Sequence, residues 1–337
     1  MMKIAIDAFG GDHAPTEIIK GVVDAVNAEP GFTAVLFGAE ETVRAELSRY
    51  AYPADRIEVV DAPEVIGNDE SPTEGVRKKK NSSIVKAFHA LNTDDAYGAF
   101  VSAGSTGAVL TGAVLLLKRI RGINRPALAP VLPTVNGGQV VLVDCGANAD
   151  CKPLNLVQFA RMGKAYANTL GISDPKIGLL SNGTEDKKGN ELNKETFPLL
   201  KEDASLNFVG NIEGRDILGG AVDVVVTDGF SGNVALKSCE GTALTMFEVI
   251  KQNILGGGLR AKIGYLLLKP AFRRVKNVMD YNNKGGAVLL GLQKIVVKSH
   301  GSSKAKSITA SVLQAYNLCR AGIVDAIAGA MVTASEE

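Results

Sequence analysis

The sequence has few of the residues that hold metals and disulfide frameworks. Its 337 residues include three histidines, four cysteines and no tryptophan. The cysteines are scattered and no two of them form a C-x-x-C pair: Cys145, Cys151, Cys239 and Cys319. Because no H-E-x-x-H motif or Cys/His cluster occurs, we expect no metal site and no disulfide framework. Four dispersed cysteines are typical of reduced thiols in a cytoplasmic protein.

An excess of charge of one sign and long apolar runs are also lacking. The formal net charge of +1 lacks the global basic character of a nucleic-acid-binding protein, so we expect no nucleic-acid partner. No apolar run reaches the roughly 18 residues that a membrane-spanning helix needs. The chain enters a strand-like run at residues 3–7 without the basic and apolar regions of a signal peptide. These absences predict a cytoplasmic protein.

Three catalytic and nucleotide-binding signatures are missing as well. No G-x-x-x-x-G-K-[ST] occurs, which disfavours a P-loop enzyme. No G-x-G-x-x-G follows the first predicted strand, so dinucleotide binding lacks its fingerprint. No G-x-S-x-G elbow supports an acylated serine. We therefore expect no cofactor and a site for a small anion rather than for a nucleotide.

The composition is that of a globular protein with a full core. Hydrophobic residues make up 46% and charged residues 22% of the chain. Short apolar runs bounded by Gly, Asp, Asn or Ser predict strands, and helical spacing recurs at residues 15–28, 154–170 and 242–255. This alternation predicts an α/β fold with a mostly parallel sheet covered on both faces. We expect a single catalytic domain over residues 1–337.

Residues 256–279 interrupt the alternation. Three glycines lead into a segment with six basic and no acidic residues. Apolar residues recur there at helical spacing: Leu259, Ile263, Leu266 and Leu267. Because Pro270 then interrupts the pattern, we expect two short helices that form a basic amphipathic excursion from the domain.

Glycine- and serine-rich loops follow four predicted strands, at residues 10–15, 102–107, 227–233 and 299–303. Ligands of open parallel sheets bind at the carboxyl ends of the strands, so these loops predict one shared crevice. Glycines let the backbone approach a ligand, and free N–H groups at helix N-termini favour an anion. Each loop alone is also compatible with an ordinary strand-to-helix turn.

Two further features bring charge to the predicted crevice. The loop at residues 182–190 carries Lys187 and Lys188, either of which could reach an oxyanion as a point charge; the alternative is a solvated turn. Asp7 ends the first predicted strand. Its carboxylate takes part in the chemistry directly or braces a neighbouring loop.

Six segments together resemble the phosphate acyltransferase (PlsX) family of bacterial phospholipid synthesis. They are residues 4–15 (IAIDAFGGDHAP), 77–83 (RKKKNSS), 102–107 (SAGSTG), 183–190 (GTEDKKGN), 228–233 (DGFSGN) and 300–303 (HGSS). Phe9 departs from the methionine expected in that family. The resemblance implies a three-layer α/β/α Rossmann-like fold, similar to phosphotransacetylases and isopropylmalate dehydrogenases, and a homodimer.

The resemblance also implies a reaction. Acyl-(acyl carrier protein) and inorganic phosphate give acyl phosphate and free carrier, and a membrane glycerol-3-phosphate acyltransferase uses the product. Phosphate already carries nucleophilic oxygens, so direct attack needs no covalent enzyme intermediate. The candidate phosphate-binding residues are Gly10, Gly11, Asp12, Ser102, Ser105, Thr106, Ser302 and Ser303. Lys188 or Lys187 and Asn233 would stabilise the oxyanion, and His13 would bind phosphate or protonate the departing thiolate.

Two basic surfaces are candidates for larger partners. An acidic carrier would be steered by Arg77, Lys78, Lys79 and Lys80, although a solvated helix face fits them equally. The basic amphipathic excursion suits peripheral contact with an anionic membrane, and a dimer interface is its alternative.

Two rival functions share the predicted anion crevice. One is a phosphotransacetylase-like enzyme that uses acyl-coenzyme A, and the other is a non-catalytic anion-binding protein. Comparison of the two acyl donors separates the enzymes, and hydroxylamine trapping of acyl phosphate distinguishes both from a binding protein.

Overall fold

The structure is a computed structural model that describes residues 1–279 and 285–332. The described residues form twelve strands and eleven α-helices. The strands are β1 (Met2–Asp7), β2 (Phe32–Gly38), β3 (Ile57–Asp61), β4 (Tyr97–Ser102), β5 (Ala127–Ala129), β6 (Val131–Pro133), β7 (Gln139–Val143), β8 (Lys176–Ser181), β9 (Asn207–Glu213), β10 (Val224–Val226), β11 (Ala287–Leu290) and β12 (Ile295–Lys298).

The helices follow most of the strands. They are α1 (Thr16–Ala28), α2 (Glu40–Leu47), α3 (Pro72–Lys78), α4 (Ser83–Thr93), α5 (Thr106–Leu116), α6 (Pro153–Thr169), α7 (Glu191–Glu202), α8 (Gly229–Gly256), α9 (Gly258–Met279), α10 (Ala305–Arg320) and α11 (Ile323–Val332). The helices expected at residues 15–28 and 154–170 correspond to α1 and α6, and the one at 242–255 is the second half of α8.

The strands are divided between two sheets. The first has the order β3-β2-β1-β4-β12-β11-β5, and the second has the order β6-β7-β10-β8-β9. All pairs are parallel except those that involve β5, β6 or β11. The short apolar runs that predicted strands in the sequence did not include these three strands. Two of them have only three residues, too few for an apolar period to be recognised.

Helices cover both faces of the sheets and bury the alternating strand residues. In β1, Ile4 and Ile6 lie in one apolar cluster with α1 and α10, while Ala5 lies in another with α4 and α5. The first cluster also contains Val141 and Val224 of the second sheet. The α/β/α prediction is therefore confirmed, and this shared cluster supports the prediction of one domain.

The expectation of two short helices at residues 259–279 is wrong. The helix α9 continues through Pro270 without a break. Proline lacks the N–H that would bond to the carbonyl of residue 266. Because Leu266 is 68% exposed, water can solvate that carbonyl, so the lost bond does not end the helix.

Candidate active site

Three glycine loops meet at one edge of the first sheet. The strands β1, β4 and β12 are parallel neighbours, so their carboxyl ends lie side by side. The backbone N–H of Asp12 donates to the carbonyl of Gly301 at 2.8 Å, and that of Ser299 donates to Ser102 at 2.9 Å. The loops after these strands are thus linked by backbone hydrogen bonds, as expected for a shared crevice.

Glycine is required where the first two loops touch. A Cβ atom at Gly10 would lie 2.6 Å from the backbone nitrogen of Gly104 and 2.4 Å from the Asp7 carboxylate. Gly11 has a φ of 104°, which side-chain-bearing residues rarely adopt. The first loop therefore keeps its backbone against the second, and any larger residue would separate them.

The buried carboxylate of Asp7 stabilises this junction of the first two loops. Its carboxylate is 2% exposed and accepts hydrogen bonds from the hydroxyls of Ser83 at 2.6 Å and Ser102 at 2.7 Å, and from the Phe9 N–H at 3.2 Å. The Ser102 hydroxyl in turn accepts the N–H of Gly104 at 3.0 Å. Burial raises the pKa of Asp7, and the two serine bonds oppose that rise. This geometry favours the bracing role over direct chemistry.

A cavity of about 310 Å³ lies between the carboxyl ends of the two sheets. Its polar lining comes from Thr106 of the second loop, from residues 298–301 after β12, and from Asn233, Lys237 and Glu240 of α8. The volume is at the lower end of the range for small-molecule sites, about 300–1,000 Å³. The cavity is thus large enough for a small anion and part of an acyl thioester.

Lys298 places a buried positive charge at this cavity. It is the last residue of β12, is 8% exposed, and its ammonium group donates to the carbonyl of Ser299. Burial lowers the pKa of Lys298 to about 8, and the nearby Asp7 carboxylate opposes that effect. The sequence-based assignment missed Lys298, although its position between a buried strand and a glycine-serine loop was a usable signal.

His300 is the imidazole that lines the cavity. Burial and the charges of Lys237 and Lys298 lower its pKa, so the ring is neutral at neutral pH. The backbone N–H of Ser302 donates to Nδ1 at 3.2 Å, which makes Nδ1 an acceptor and leaves the proton on Nε2. His300 can therefore present an N–H donor to a developing negative charge.

The second sheet contributes the start of α8. The Asp228 side chain caps this helix by accepting the N–H of Ser231 at 2.8 Å. A Cβ atom at Gly232 would lie 1.9 Å from the backbone oxygen of Asp144, so the helix start packs directly on the end of β7. Asn233 follows at the cavity wall. The positive end of the α8 dipole is therefore beside the site.

The predicted site residues fall into two groups. Thr106 and Asn233 line the cavity, and Ser105 caps α5 directly before Thr106. Ser303 is 4% exposed, and its hydroxyl has no hydrogen-bond partner among the described residues. Ser302 lies at the edge of the site, in contact with the His300 ring at 2.8 Å.

The second group does not line the cavity that the described residues form. It consists of the loop-junction residues Asp7, Gly10, Gly11, Asp12 and Ser102, and of His13, Lys187 and Lys188. His13, Lys187 and Lys188 are exposed, and no described contact connects them to the cavity. The two lysines follow β8 in the second sheet, two strands away from β7. Their catalytic assignments stay predictions.

Comparison with known proteins identifies the family of the chain. The family model described as "Fatty acid synthesis protein" matches residues 2–326. A phosphate acyltransferase from Clostridium novyi is 47% identical over 97% of this chain and 97% of its own length. The chain belongs to the phosphate acyltransferase family. The predictions of an acyltransferase enzyme and of its family are thereby confirmed.

Solved structures of the same architecture support the fold alone. A phosphotransacetylase from Streptococcus pyogenes superimposes with a TM-score of 0.59 at 20% identity, covering 95% of this chain and 94% of that one. A branched-chain phosphotransacylase from Enterococcus faecalis gives 0.58 at 16% identity, with 95% and 99% coverage. The phosphotransacetylase-like fold expected for the family is thus confirmed.

The basic patch predicted to bind a carrier is partly neutralised. Lys78 pairs with Glu74 at 2.8 Å, and the Lys79 ammonium binds Glu70. Arg77 and Lys80 are exposed and, in the part of the chain that the structure describes, have no carboxylate partner. The patch adjoins the site, because a Cβ atom on Gly107 would touch Pro72 at the start of α3 at 2.6 Å.

The helices α8 and α9 expose a large apolar surface. The four residues proposed for membrane contact are 75%, 52%, 68% and 76% exposed: Leu259, Ile263, Leu266 and Leu267. Among the described helices, none has the length and hydropathy needed to cross a membrane. The exposed apolar surface fits either a lipid surface or a second subunit.

Proposed function

We propose that this chain transfers an acyl group from acyl carrier protein to inorganic phosphate at the cavity between the two sheets. The observation that carries this proposal is the buried ammonium of Lys298 at the meeting point of the glycine loops. Burial lowers the pKa of Lys298 to about 8 even though the ammonium donates to the Ser299 carbonyl and lies near the Asp7 carboxylate. A phosphate bound in the cavity would add the negative charge that stabilises the protonated form.

Phosphate would be held by Lys298, by the backbone of the two loops that contain Gly10 and Ser105, and by residues 299–303. The Thr106 hydroxyl and the first turn of α5 offer donors on one side, and the unpartnered Ser303 hydroxyl is buried in the last loop. Gly11 and Asp12 position the first loop through the bond to Gly301. Positioning of this kind contributes up to about 7–11 kcal/mol of barrier reduction in favourable reactions.

In the chemical step, a phosphate oxygen attacks the thioester carbonyl carbon. The carbonyl oxygen becomes an oxyanion that the His300 Nε2–H and the Asn233 amide, both from the cavity lining, would stabilise. The C–S bond then breaks, the carbonyl re-forms, and acyl phosphate leaves. The carrier thiolate takes up a proton; a thiol of pKa about 8.5 is a good leaving group.

The cavity offers no competing nucleophile among the described cysteines. Cys145 lines it, but burial raises the pKa of this thiol well above its ordinary value and its Sγ donates to the Leu142 carbonyl at 3.7 Å. The thiol therefore stays protonated at neutral pH. This supports direct attack by phosphate without a covalent enzyme intermediate.

The surfaces around the site suit the larger partners. Arg77 and Lys80, which have no carboxylate partners in the described range, lie in or just after α3, which packs against the start of α5, and would offer charge to an acidic carrier. The exposed leucines of α9 lie among basic residues and suit peripheral contact with an anionic bilayer. A cytoplasmic homodimer that releases acyl phosphate near the membrane, to a glycerol-3-phosphate acyltransferase there, fits these surfaces.

Hydroxylamine trapping tests the proposed function. The purified chain is mixed with phosphate and either palmitoyl-(acyl carrier protein) or palmitoyl-coenzyme A, and the hydroxamate formed from acyl phosphate is measured. We expect faster formation from the carrier-bound donor. Faster formation from the coenzyme A donor would favour the phosphotransacetylase-like alternative, and no product from either donor would refute the proposal.

A pair of lysine variants tests the site. Lys298→Met removes the charge proposed to hold phosphate, and a hydrogen bond to a charged group contributes about 1.5–3 kcal/mol, so we expect kcat/KM for phosphate to fall about 10- to 100-fold. Lys304→Met is the matched control, because Lys304 is exposed, follows the same loop and does not line the cavity. Equal activities of the two variants would show that the cavity is not the active site.

A further inference from the structure

The phosphate cavity opens into a second and larger cavity. This groove has a volume of about 790 Å³ and lies between α8 and α9, against β6. Glu240 and His300 line both cavities, so the two spaces meet at the residues next to the reacting carbonyl. The second cavity is therefore adjacent to the place where the first would hold the reacting carbonyl.

The walls of the groove are apolar and aromatic. On α8, Ala243, Phe247 and Ile250 recur at helical spacing and are half-buried, while their neighbours on the helix are exposed. On α9, Tyr265 and Phe272 face them, with ring centroids 5.7 Å apart. From Glu240 to Ile250 the helix rises about 15 Å at 1.5 Å per residue, so the groove is long and narrow.

Charge is confined to the ends and edges of this groove. Glu240 is paired with Lys237 at 2.7 Å where the two cavities meet. The remaining charged lining residues are Glu248, Lys251, Lys269 and Arg273, whose side chains are exposed. An apolar floor with charged edges fits a flexible hydrocarbon chain that lies along the floor.

We infer that this groove binds the acyl chain of the substrate and sets the chain length that the enzyme accepts. The inference rests on the proposed function, because it needs the reacting carbonyl to lie beside Lys298. The carrier then approaches from the side of α3 and α5, and the hydrocarbon extends to the opposite side along α8. Since α9 also carries the exposed leucines, the chain would lead from the site toward the surface proposed to contact lipid.

The test is a chain-length profile measured on groove variants. Octanoyl, lauroyl and palmitoyl carriers are compared as donors, with KM for the donor and for phosphate determined separately. Burial of each methylene contributes about 0.8 kcal/mol, which corresponds to a KM for the donor that falls up to about fourfold per methylene while the chain remains in the groove. We expect wild-type protein to show this fall.

Ala243→Phe narrows the groove near the site. We expect it to raise the KM for the lauroyl and palmitoyl donors more than tenfold, to raise the KM for the octanoyl donor as well because an eight-carbon chain passes residue 243, and to leave the KM for phosphate unchanged. Ile250→Trp blocks the groove farther along α8. We therefore expect the KM for the donor to stop falling at a longer acyl chain in this variant than in Ala243→Phe. Thr245→Phe is the matched control, because Thr245 is exposed on the same helix and does not line the groove.

The outcomes separate the two proposals. If wild-type protein forms no acyl phosphate from any donor, the proposed function itself fails. If it forms acyl phosphate but Ala243→Phe and Ile250→Trp keep the wild-type profile, only the groove inference is overturned. The inference is also overturned if these variants change the oligomeric state in analytical ultracentrifugation without changing the profile, because a second subunit would then occupy the groove.

Discussion

Protonation of Lys298 is expected to control phosphate affinity. Burial lowers the pKa of this lysine from 10.5 to about 8. At 1.36 kcal/mol per pKa unit, the buried ammonium is disfavoured by about 3 kcal/mol relative to an exposed lysine. A phosphate that pairs with the ammonium favours the charged form, so binding and protonation are linked.

The direction of the pH dependence follows from the form of Lys298 that binds phosphate, which is the protonated one. Below pH 8 the phosphate-free site already carries the ammonium, and affinity changes little with Lys298. Above that pH the free site loses the proton and must regain it on binding, so affinity falls tenfold per pH unit. The His300 ring, whose pKa is lowered, is neutral throughout this alkaline range and does not contribute to the fall.

Titration calorimetry with inorganic phosphate, from about pH 7 to about pH 10, measures this effect. We expect an alkaline limb that begins near the pKa of Lys298 in wild-type protein. In Lys298→Arg the limb should be absent, because arginine remains charged. In Lys298→Met the affinity should be low and independent of pH. A limb that persists in Lys298→Met would refute the assignment of phosphate to this lysine.

Three other variants test the contacts of Asp7, the close packing of Gly232 and the exposed apolar surface of α9. Asp7→Ala leaves three donors without their acceptor and should lower the free energy of unfolding by about 3 kcal/mol or more in urea titrations; a loss below about 1 kcal/mol would mean that the brace is dispensable. Gly232→Ala places a methyl group 1.9 Å from the backbone of Asp144, and we expect a lower Tm and lost activity; a variant with wild-type Tm would contradict the close packing. Replacing Leu266 and Leu267 with Glu should abolish flotation with anionic liposomes, whereas flotation equal to wild type would reject membrane contact by α9.

Sequence reasoning located three glycine-serine loops that meet at one sheet edge and missed the buried lysine beside them. Three of the four predicted glycine-serine loops are linked at adjacent strand ends, because parallel strands bring their carboxyl ends to one edge whatever their order. The cation was sought in an exposed loop, at Lys187 and Lys188. The lysine that lines the cavity is Lys298, inside a strand that reads as simply apolar.

The division of the strands into two sheets could not be predicted from the sequence either. The strands β5, β6 and β11 are short and antiparallel, and the pairing of β11 with β5 joins segments far apart in the chain. The length of α9 was underestimated because a proline stops a helix only when the freed carbonyl cannot be solvated. That condition depends on exposure, and exposure is a property of the folded chain.

The sequence by itself determined the elements and their chemistry, because glycine, proline, hydroxyl and β-branched residues act on the backbone within a few positions. It predicted the alternating strands and helices, the loops able to hold an anion, and the family. Only the tertiary structure decided which charge is buried, which histidine lines the cavity and where a second, apolar cavity adjoins it. Burial and pKa depend on the residues that surround a group in space, and the pairing of β12 with β4 brings those residues to Lys298.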